Sequence, residues 1–342
     1  MNRVPYQELE DTIARAFVKA GMSETKARTS ARFHAEASCD GVYSHGLNRV
    51  PRFVDYLLKG WVEPEAEPVL VRQIGPIEVL DGQRGPGILN ALHATDRALE
   101  LAADHGVGIV ALRNTTHWMR GGAFGWRAAD RGKVMIAWTN TESCMPAWGG
   151  TDTRLGNNPL VMAVPRAEGH VVLDMAMSQY SYGKLQTTRL RGAQLPYAGG
   201  FDSDGTLTTD PGAIEASRRI LPTGFWKGSG LTILLDVLAA ALSEGSATHQ
   251  IDKIDRGSCT GCSQIFLAFD PERLGSAEHL QDIVDGMAGY VNCSTPTEPG
   301  RKVTYPGQNT LTTRLEHRKN GVIVDAEIWQ EVQALAGGPQ AV

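Results

Sequence analysis

The string Gly106-Val107-Gly108-Ile109-Val110-Ala111 limits what this chain can fold into more than any other feature. Its G-x-G-x-x-A spacing matches a dinucleotide-binding loop, but such a loop leaves a strand and opens a helix, so that the helix N-terminus faces a pyrophosphate. Here the order is reversed. The string closes a long amphipathic helix running from about Ile88 to His105 and opens a strand from Val107 to Leu112. Gly82-Gln83-Arg84-Gly85-Pro86-Gly87 precedes that helix but lacks the G-K-[ST] ending of a phosphate loop and reads as a turn. No ordinary nucleotide-binding motif is present, so a Rossmann arrangement is not expected.

Around this point the texture of the chain changes. Upstream, Leu9, Ile13 and Phe17, then Ala27, Ala31 and Ala35, recur at helical spacing, with Gly21 between the two helices and Ser23 placed to cap the second. Asp40 and Gly41 end that helix, so Ser44 and His45 are expected on a turn or at the start of a third helix running to about Lys59. Gly60 to Pro68 reads as an extended connection. Short strands are expected at Val69 to Arg72 and Ile77 to Leu80. Beyond Val107 come strands at Val134 to Thr139, Leu160 to Val164, Val171 to Met175 and Gln264 to Asp270. Helices are expected at Gly121 to Ala129, Leu231 to Ser243, Ala277 to Met287 and Ala326 to Leu335, with turns at Asp202 to Gly205 and Asn320-Gly321. This is a mixed α/β pattern, and 342 residues with 42% hydrophobic content suffice for two domains.

Composition narrows the partners. The 33 basic and 38 acidic residues leave a net charge of -5, with no basic run of the kind that nucleic acid or an anionic membrane surface requires. Met1 to Phe17 has no continuous apolar segment of the signal-peptide type, and Leu231 to Leu242 is interrupted by Asp236 and short for a bilayer, so a cytoplasmic protein without a membrane span is expected. Five scattered cysteines fit free thiols in a reducing compartment. Cys259-Thr260-Gly261-Cys262 has no second pair and no histidine at zinc-finger distance, so no metal site is expected there.

Four stretches carry chemistry. Tyr43-Ser44-His45-Gly46 with Arg49 and Arg52 combines a hydroxyl, an imidazole and two guanidiniums, a set suited to proton transfer beside a small carboxylic acid. The same pairing recurs in His117-Trp118-Met119-Arg120, at a strand end before glycines. Val171-Val172-Leu173-Asp174-Met175-Ala176, taken by itself, reads more readily as a buried strand capped by aspartate than as a site. Trp226-Lys227 before Gly228-Ser229-Gly230 reads as either a phosphate or ribose contact at a helix start or an aromatic anchor.

Taken together and in this order, Gly41 to Gly46 with Arg49, Ala111 to Asn114 running into His117 to Gly122, Asn158-Pro159-Leu160, Asp174-Met175, Ser181-Tyr182-Gly183, Arg219 to Pro222, Trp226 to Gly230 and Ser263 to Phe266 resemble the malate/L-lactate dehydrogenase family that lacks a Rossmann fold. The resemblance implies a mixed, largely antiparallel sheet flanked by helices, with a helical N-terminal and C-terminal portion. It implies residues 1–120 with 299–342 as the substrate side, 121–298 as the cofactor-binding α/β domain, and a homodimer. It also implies an NADH- or NADPH-dependent reductase of a 2-keto (sugar) acid, NADH favoured. His45 would donate the proton, aided by Ser44; Arg49 and Arg52 would hold the carboxylate, with His45 and Arg49 on one helix face. His117 and Arg120 would bind further substrate oxygens. The cofactor would lie on His170, Val171, Val172, Leu173, Asp174, Met175 and Ala176, on Trp226 and Lys227, and on Gly307, Gln308 and Asn309. At Gln308 this chain departs from the family, which usually carries glutamate just after Pro-Gly. Reduction of a cyclic imine carboxylate, oxidation of malate, lactate or ureidoglycolate, and a metal-dependent hydrolase using His45 and His117 are the competing readings.

Overall fold

The computed structural model describes residues 2–256 and 260–337. Cys259 lies outside the described residues, so the C-x-x-C string is seen only from Thr260 onward.

Seven strands form one sheet in the order Val69–Ile74, Ile77–Asp81, Val107–Thr116, Thr260–Phe269, Val134–Thr139, Leu160–Val164 and Val171–Met175. Every neighbouring pair is antiparallel except Ile77–Asp81 with Val107–Thr116, which the helix Gly87–His105 joins as a right-sized crossover. The sheet is thus mixed and largely antiparallel, as the resemblance implies. Alternation along the strands sends Val110, Leu112, Ala137 and Phe266 into one core and Ala111, Trp138 and Ile265 into another, so both faces are covered. Helices Gly87–His105, Gly122–Asp130, Tyr6–Lys19, Glu24–Cys39, Val50–Leu58 and Ala326–Leu335 close the first face, and Trp226–Ser243 packs on the second.

The pairing pattern decides where a site can form. Because Thr260–Phe269 runs opposite to both its neighbours, and Leu160–Val164 opposite to both of its own, the strands Ile77–Asp81, Val107–Thr116, Val134–Thr139 and Val171–Met175 all point the same way. Their carboxyl ends share one rim. The chain leaving that rim is Gly82 to Gly87, His117 to Gly121, Asn140 to Glu142, and Ala176 to Ser181.

Several expectations need correction. The strand opening at Val107 continues to Thr116, so Asn114, Thr115 and Thr116 are strand residues and only His117 onward is loop. The strand expected from Gln264 begins at Thr260, and the helix expected from Leu231 begins at Trp226, placing Trp226 and Lys227 in its first turn. Of the two placements expected for Ser44 and His45, the turn is the one observed, and the helix that follows starts later. Tyr43–His45 and Leu47–Arg49 are separate 3₁₀ turns, Val50–Leu58 is the helix, and Gly46 between the turns has φ -105° and ψ -125°. His45 and Arg49 therefore share no helix face; Pro51, in the first turn, is suited to begin a helix there. Ser23 precedes its helix but makes no side-chain cap; its own N–H donates to Glu65 Oε1 at 2.7 Å.

By length and composition alone, Trp226–Ser243 is long and apolar enough to cross a membrane, against the expectation drawn from its shorter apolar run. Its inner side packs Leu235 and Ala239 into the core, and Trp138 Nε1 donates to Leu235 O at 3.0 Å. Asp236, the residue interrupting the apolar run, accepts hydrogen bonds from Asn140 Nδ2 and Thr248 N. Ile233, Leu234, Val237, Leu238 and Leu242 point outward and are exposed.

Candidate active site

The Ser-His-Gly turn is seated against the helix Glu24–Cys39. A Cβ on Gly46 would lie 2.2 Å from Ser38 Oγ, 2.7 Å from Ser38 N and 2.8 Å from His34 O, so only glycine allows this approach. Ser38 Oγ accepts from Leu47 N at 2.8 Å, fixing the second turn. On the other side, a Cβ on Gly183 would meet Ser44 Cβ at 2.7 Å, so the turn faces the start of the helix Tyr182–Leu190. Ser44 Oγ lies 3.0 Å from His45 Nδ1.

His117 reaches the same place from the sheet. Thr116 Oγ1 donates to Gly85 O at 2.9 Å, and Asn90 Nδ2 bridges Gly82 O and Thr115 Oγ1, which ties the strand end to the 82–87 turn. The His117 and His45 rings stack with centroids 5.8 Å apart. Met119 N donates to His117 Nδ1 at 2.9 Å. An accepting Nδ1 puts the proton of neutral His117 on Nε2, leaving Nε2–H free to donate to a ligand oxygen.

Charge around the pair is strongly positive. Burial first, then Arg49 and Arg120, push the His45 pKa down to about 3. Burial, then Arg49 and His45, hold His117 well below the usual histidine range. Arg49 is itself pushed down by burial and by Arg52. Both imidazoles are therefore neutral near pH 7, in a recess that favours an anion.

One residue of this recess went unnoticed in the sequence. Glu142 leaves the rim just after Val134–Thr139, its carboxyl raised by burial and lowered in turn by Arg49, and its Oε2 is buried without a hydrogen-bond partner. Asn140 holds that turn by accepting from Ser263 N at 2.7 Å and donating to Ser246 O at 2.7 Å. The signal was available: Thr139-Asn140-Thr141-Glu142-Ser143 is a polar run at a strand's carboxyl end, where α/β proteins hold ligands.

Arg120 is placed differently from His117. It is buried and ion-paired with Asp40, whose other contacts are the two guanidinium nitrogens of Arg314 at 2.6 and 2.7 Å. Its Nε stands 3.9 Å from Asp174 Oδ2. Asp174 in turn accepts from Gly122 N at 2.9 Å, so it caps the helix Gly122–Asp130. Arg120 thus links the end of the helix Glu24–Cys39 to the strand Val171–Met175, and its charge still reaches His45.

The segments named for a cofactor are brought together along that strand. Pro306 O accepts from Val172 N at 3.0 Å. Gly307, at φ +95°, comes so close that a Cβ would lie 2.9 Å from His170 O and 3.1 Å from Val172 N, a cradle that only glycine leaves open. Beyond the strand, Gln179 N donates to Leu221 O and Thr223 N to Met177 O, drawing the chain that leads into Trp226 and Lys227 alongside. Trp226 leaves its indole exposed. This gathering of backbone, a glycine cradle and an exposed indole fits a nicotinamide dinucleotide, which His170 to Ala176, Trp226, Lys227 and Gly307 to Asn309 would hold. Among the described residues no group of three His, Cys, Asp or Glu is arranged to bind a metal ion.

Residues 4–333 match the profile of the malate/L-lactate dehydrogenase family, and the chain belongs to that family; it is an oxidoreductase acting on keto or hydroxyl groups. A 2,3-diketo-L-gulonate reductase from Shigella boydii serotype 4 is 43% identical over 333 residues, covering 97% of this chain and 100% of the relative. The protein of that name from Escherichia coli O139:H28 is 42% identical at the same coverage. Malate dehydrogenase from Entamoeba histolytica shares the fold with a TM-score of 0.93 at 23% identity, over 100% of this chain and 99% of the other. Delta1-piperideine-2-carboxylate reductase from Pseudomonas syringae pvar. tomato gives a TM-score of 0.85 at 27% identity, over 98% and 100%.

Proposed function

We propose that this protein reduces the keto group of a 2-keto sugar acid resembling 2,3-diketo-L-gulonate, with NADH or NADPH as the reductant. The observation that carries the reading is the stacked His45 and His117 pair under the charge of Arg49, at the rim where the strand Val171–Met175 also ends.

Arg49, with Arg52 nearer solvent, binds the substrate carboxylate. This orients the adjacent keto oxygen toward His45, a near-attack placement worth several kcal/mol of barrier. His117 donates its Nε2 proton to a second substrate oxygen, and Ser44 steadies the His45 ring through Nδ1. When bound, the nicotinamide supplies the hydride. His45 gives a proton to the oxygen on which charge develops. Substrate carboxylate at Arg49 offsets one of the charges depressing the His45 pKa, so substrate binding itself favours protonation of His45.

The test is a spectrophotometric assay of NADH and NADPH oxidation with 2,3-diketo-L-gulonate, pyruvate, oxaloacetate and a cyclic imine carboxylate. The expected result is the highest kcat/KM with the sugar acid. Preference for the imine or for oxaloacetate replaces the substrate assignment, and absence of dinucleotide oxidation with all four overturns the reading. The outward apolar side chains Ile233, Leu234, Val237 and Leu238 support a homodimer paired through this helix. Light scattering is expected to give twice the 36.9 kDa chain mass, and Leu234→Lys with Leu238→Lys to halve it; a monomeric wild type rules the pairing out.

A further inference from the structure

Next to the strand that carries the proposed cofactor segments, a cavity of about 400 Å³ opens between the helices Glu24–Cys39, Gly122–Asp130 and Gln308–Asn320. Its lining contains six guanidiniums, those of Arg32, Arg120, Arg127, Arg131, Arg314 and Arg318. Three carboxylates share the wall: Glu36, Asp40 and Asp130. Arg127 and Arg131 are held from behind by Asp96, and Arg120 and Arg314 by Asp40. Glu36 lies within electrostatic reach of Arg32 and Arg318, and burial raises its pKa while these guanidiniums lower it. Among the described residues, Arg32 and Arg318 have no carboxylate within ion-pair distance, and their guanidiniums lie instead over the rings of Phe33 and Tyr6. Both residues are exposed at the mouth, and the floor is the buried Arg120–Asp40 pair. Arg120 Nε is buried there without a hydrogen-bond partner.

Arg32 and Arg318 both face Glu36, and Arg318 also reaches the Cys39 thiol, yet six guanidiniums against three carboxylates leave the wall positive. Planar forks of this kind match the oxygens of a phosphate. The cavity also borders the cofactor segments directly. Trp126 in its wall lies 5.4 Å from the His170 ring, and a Cβ on Gly307 would come within 3.6 Å of the same indole. Arg314 lies 4.2 Å above Trp126, and Arg120 approaches Asp174. The volume exceeds that of a phosphate alone and leaves room for an attached ribose and ring between Phe33 and Trp126.

We infer that this cavity is a phosphate-binding site whose mouth arginines, Arg32 and Arg318, take a phosphate monoester of the kind that distinguishes NADPH from NADH. The inference rests on the reductase reading for its source of phosphate, and it runs against the NADH preference expected from the sequence. A free phosphate is the other source of the same chemistry.

Calorimetric titration separates them without relying on turnover. The probes are NADH, NADPH and inorganic phosphate, against the wild type, Arg32→Ala, and Arg32→Ala with Arg318→Ala. The expected result is NADPH binding about tenfold or more tightly than NADH, with the difference reduced by Arg32→Ala and erased in the double variant while NADH affinity stays unchanged. If NADH and NADPH bind alike but inorganic phosphate binds the wild type and not the double variant, the site stands with free phosphate as its source. If phosphate binding is absent or equal in all three proteins and the two dinucleotides bind alike, the inference is overturned. Arg32→Ala, at an exposed side chain without an ion pair, keeps the test readable should the double variant fold poorly. Failure of the reductase reading has a different signature: neither dinucleotide binds, whatever phosphate does.

Discussion

Replacing His45 with glutamine is expected to lower keto-acid turnover by about 10²- to 10⁴-fold, the usual contribution of a positioned proton donor, and to change the pH dependence of what remains. The second effect is the more discriminating. In the free protein burial, Arg49 and Arg120 hold the His45 pKa at about 3, so the imidazole is neutral near pH 7. Reduction consumes the imidazolium, whose fraction falls about tenfold for each pH unit above that pKa. In the wild type, kcat/KM for reduction is therefore expected to drop steeply as pH rises from about 5 to 8. In the complex, the substrate carboxylate on Arg49 supports the protonated form, and kcat should vary less than kcat/KM. Oxidation of the corresponding hydroxy acid uses the neutral imidazole as base and should lack the steep slope. His45→Gln should lose the slope along with the rate. A wild-type kcat/KM for reduction that is flat across this range, or a folded His45→Gln protein at near-normal turnover, contradicts the donor assignment.

How much of this was legible in the sequence depended on what holds each element in place. Strands such as Val134–Thr139, Leu160–Val164 and Val171–Met175, and the helix Ala326–Leu335, stand where the apolar pattern put them, because burial of a periodic face is what forms them. The helix Gln308–Asn320 carries no apolar stripe. It is anchored by Arg314 on Asp40 and by His317 Nδ1 on Cys39 O, partners more than 270 residues away in sequence, and no local pattern announces it. The same distinction applies to the site. His45, Arg49 and His117 were visible as residue types out of place in a core, and the fold stacks His45 on His117. Glu142 went unnoticed although its polar run follows a strand, since its place beside Arg49 depends on Val107–Thr116 and Val134–Thr139 running the same way on either side of Thr260–Phe269, so that their carboxyl ends share one rim. Arg120 was visible as a site residue, but its burial against Asp40 was not, because an ion pair across 80 residues leaves no local trace.

The same turn yields the second large effect. Gly46→Ala is expected to destabilise the protein by about 1–3 kcal/mol, the range for overpacking a well-filled interior, and to cost turnover on the order of 10²-fold through displacement of His45. The cause is distance: the added Cβ would fall 2.7 Å from Ser38 N and 2.8 Å from His34 O, backbone atoms that cannot rotate away. Relief requires the turn to lift from the helix Glu24–Cys39, breaking the bond from Leu47 N to Ser38 Oγ and moving His45 relative to His117. Gly286→Ala is the matched control. It lies within the helix Ala277–Asn292 with nothing within 4 Å of the added carbon, so it should leave turnover unchanged and raise stability by up to about 1 kcal/mol through helix propensity. Thermal melts and kcat for both variants decide the matter: a Gly46→Ala protein that melts and turns over like the wild type would show that the close seat on Ser38 does not set the position of His45.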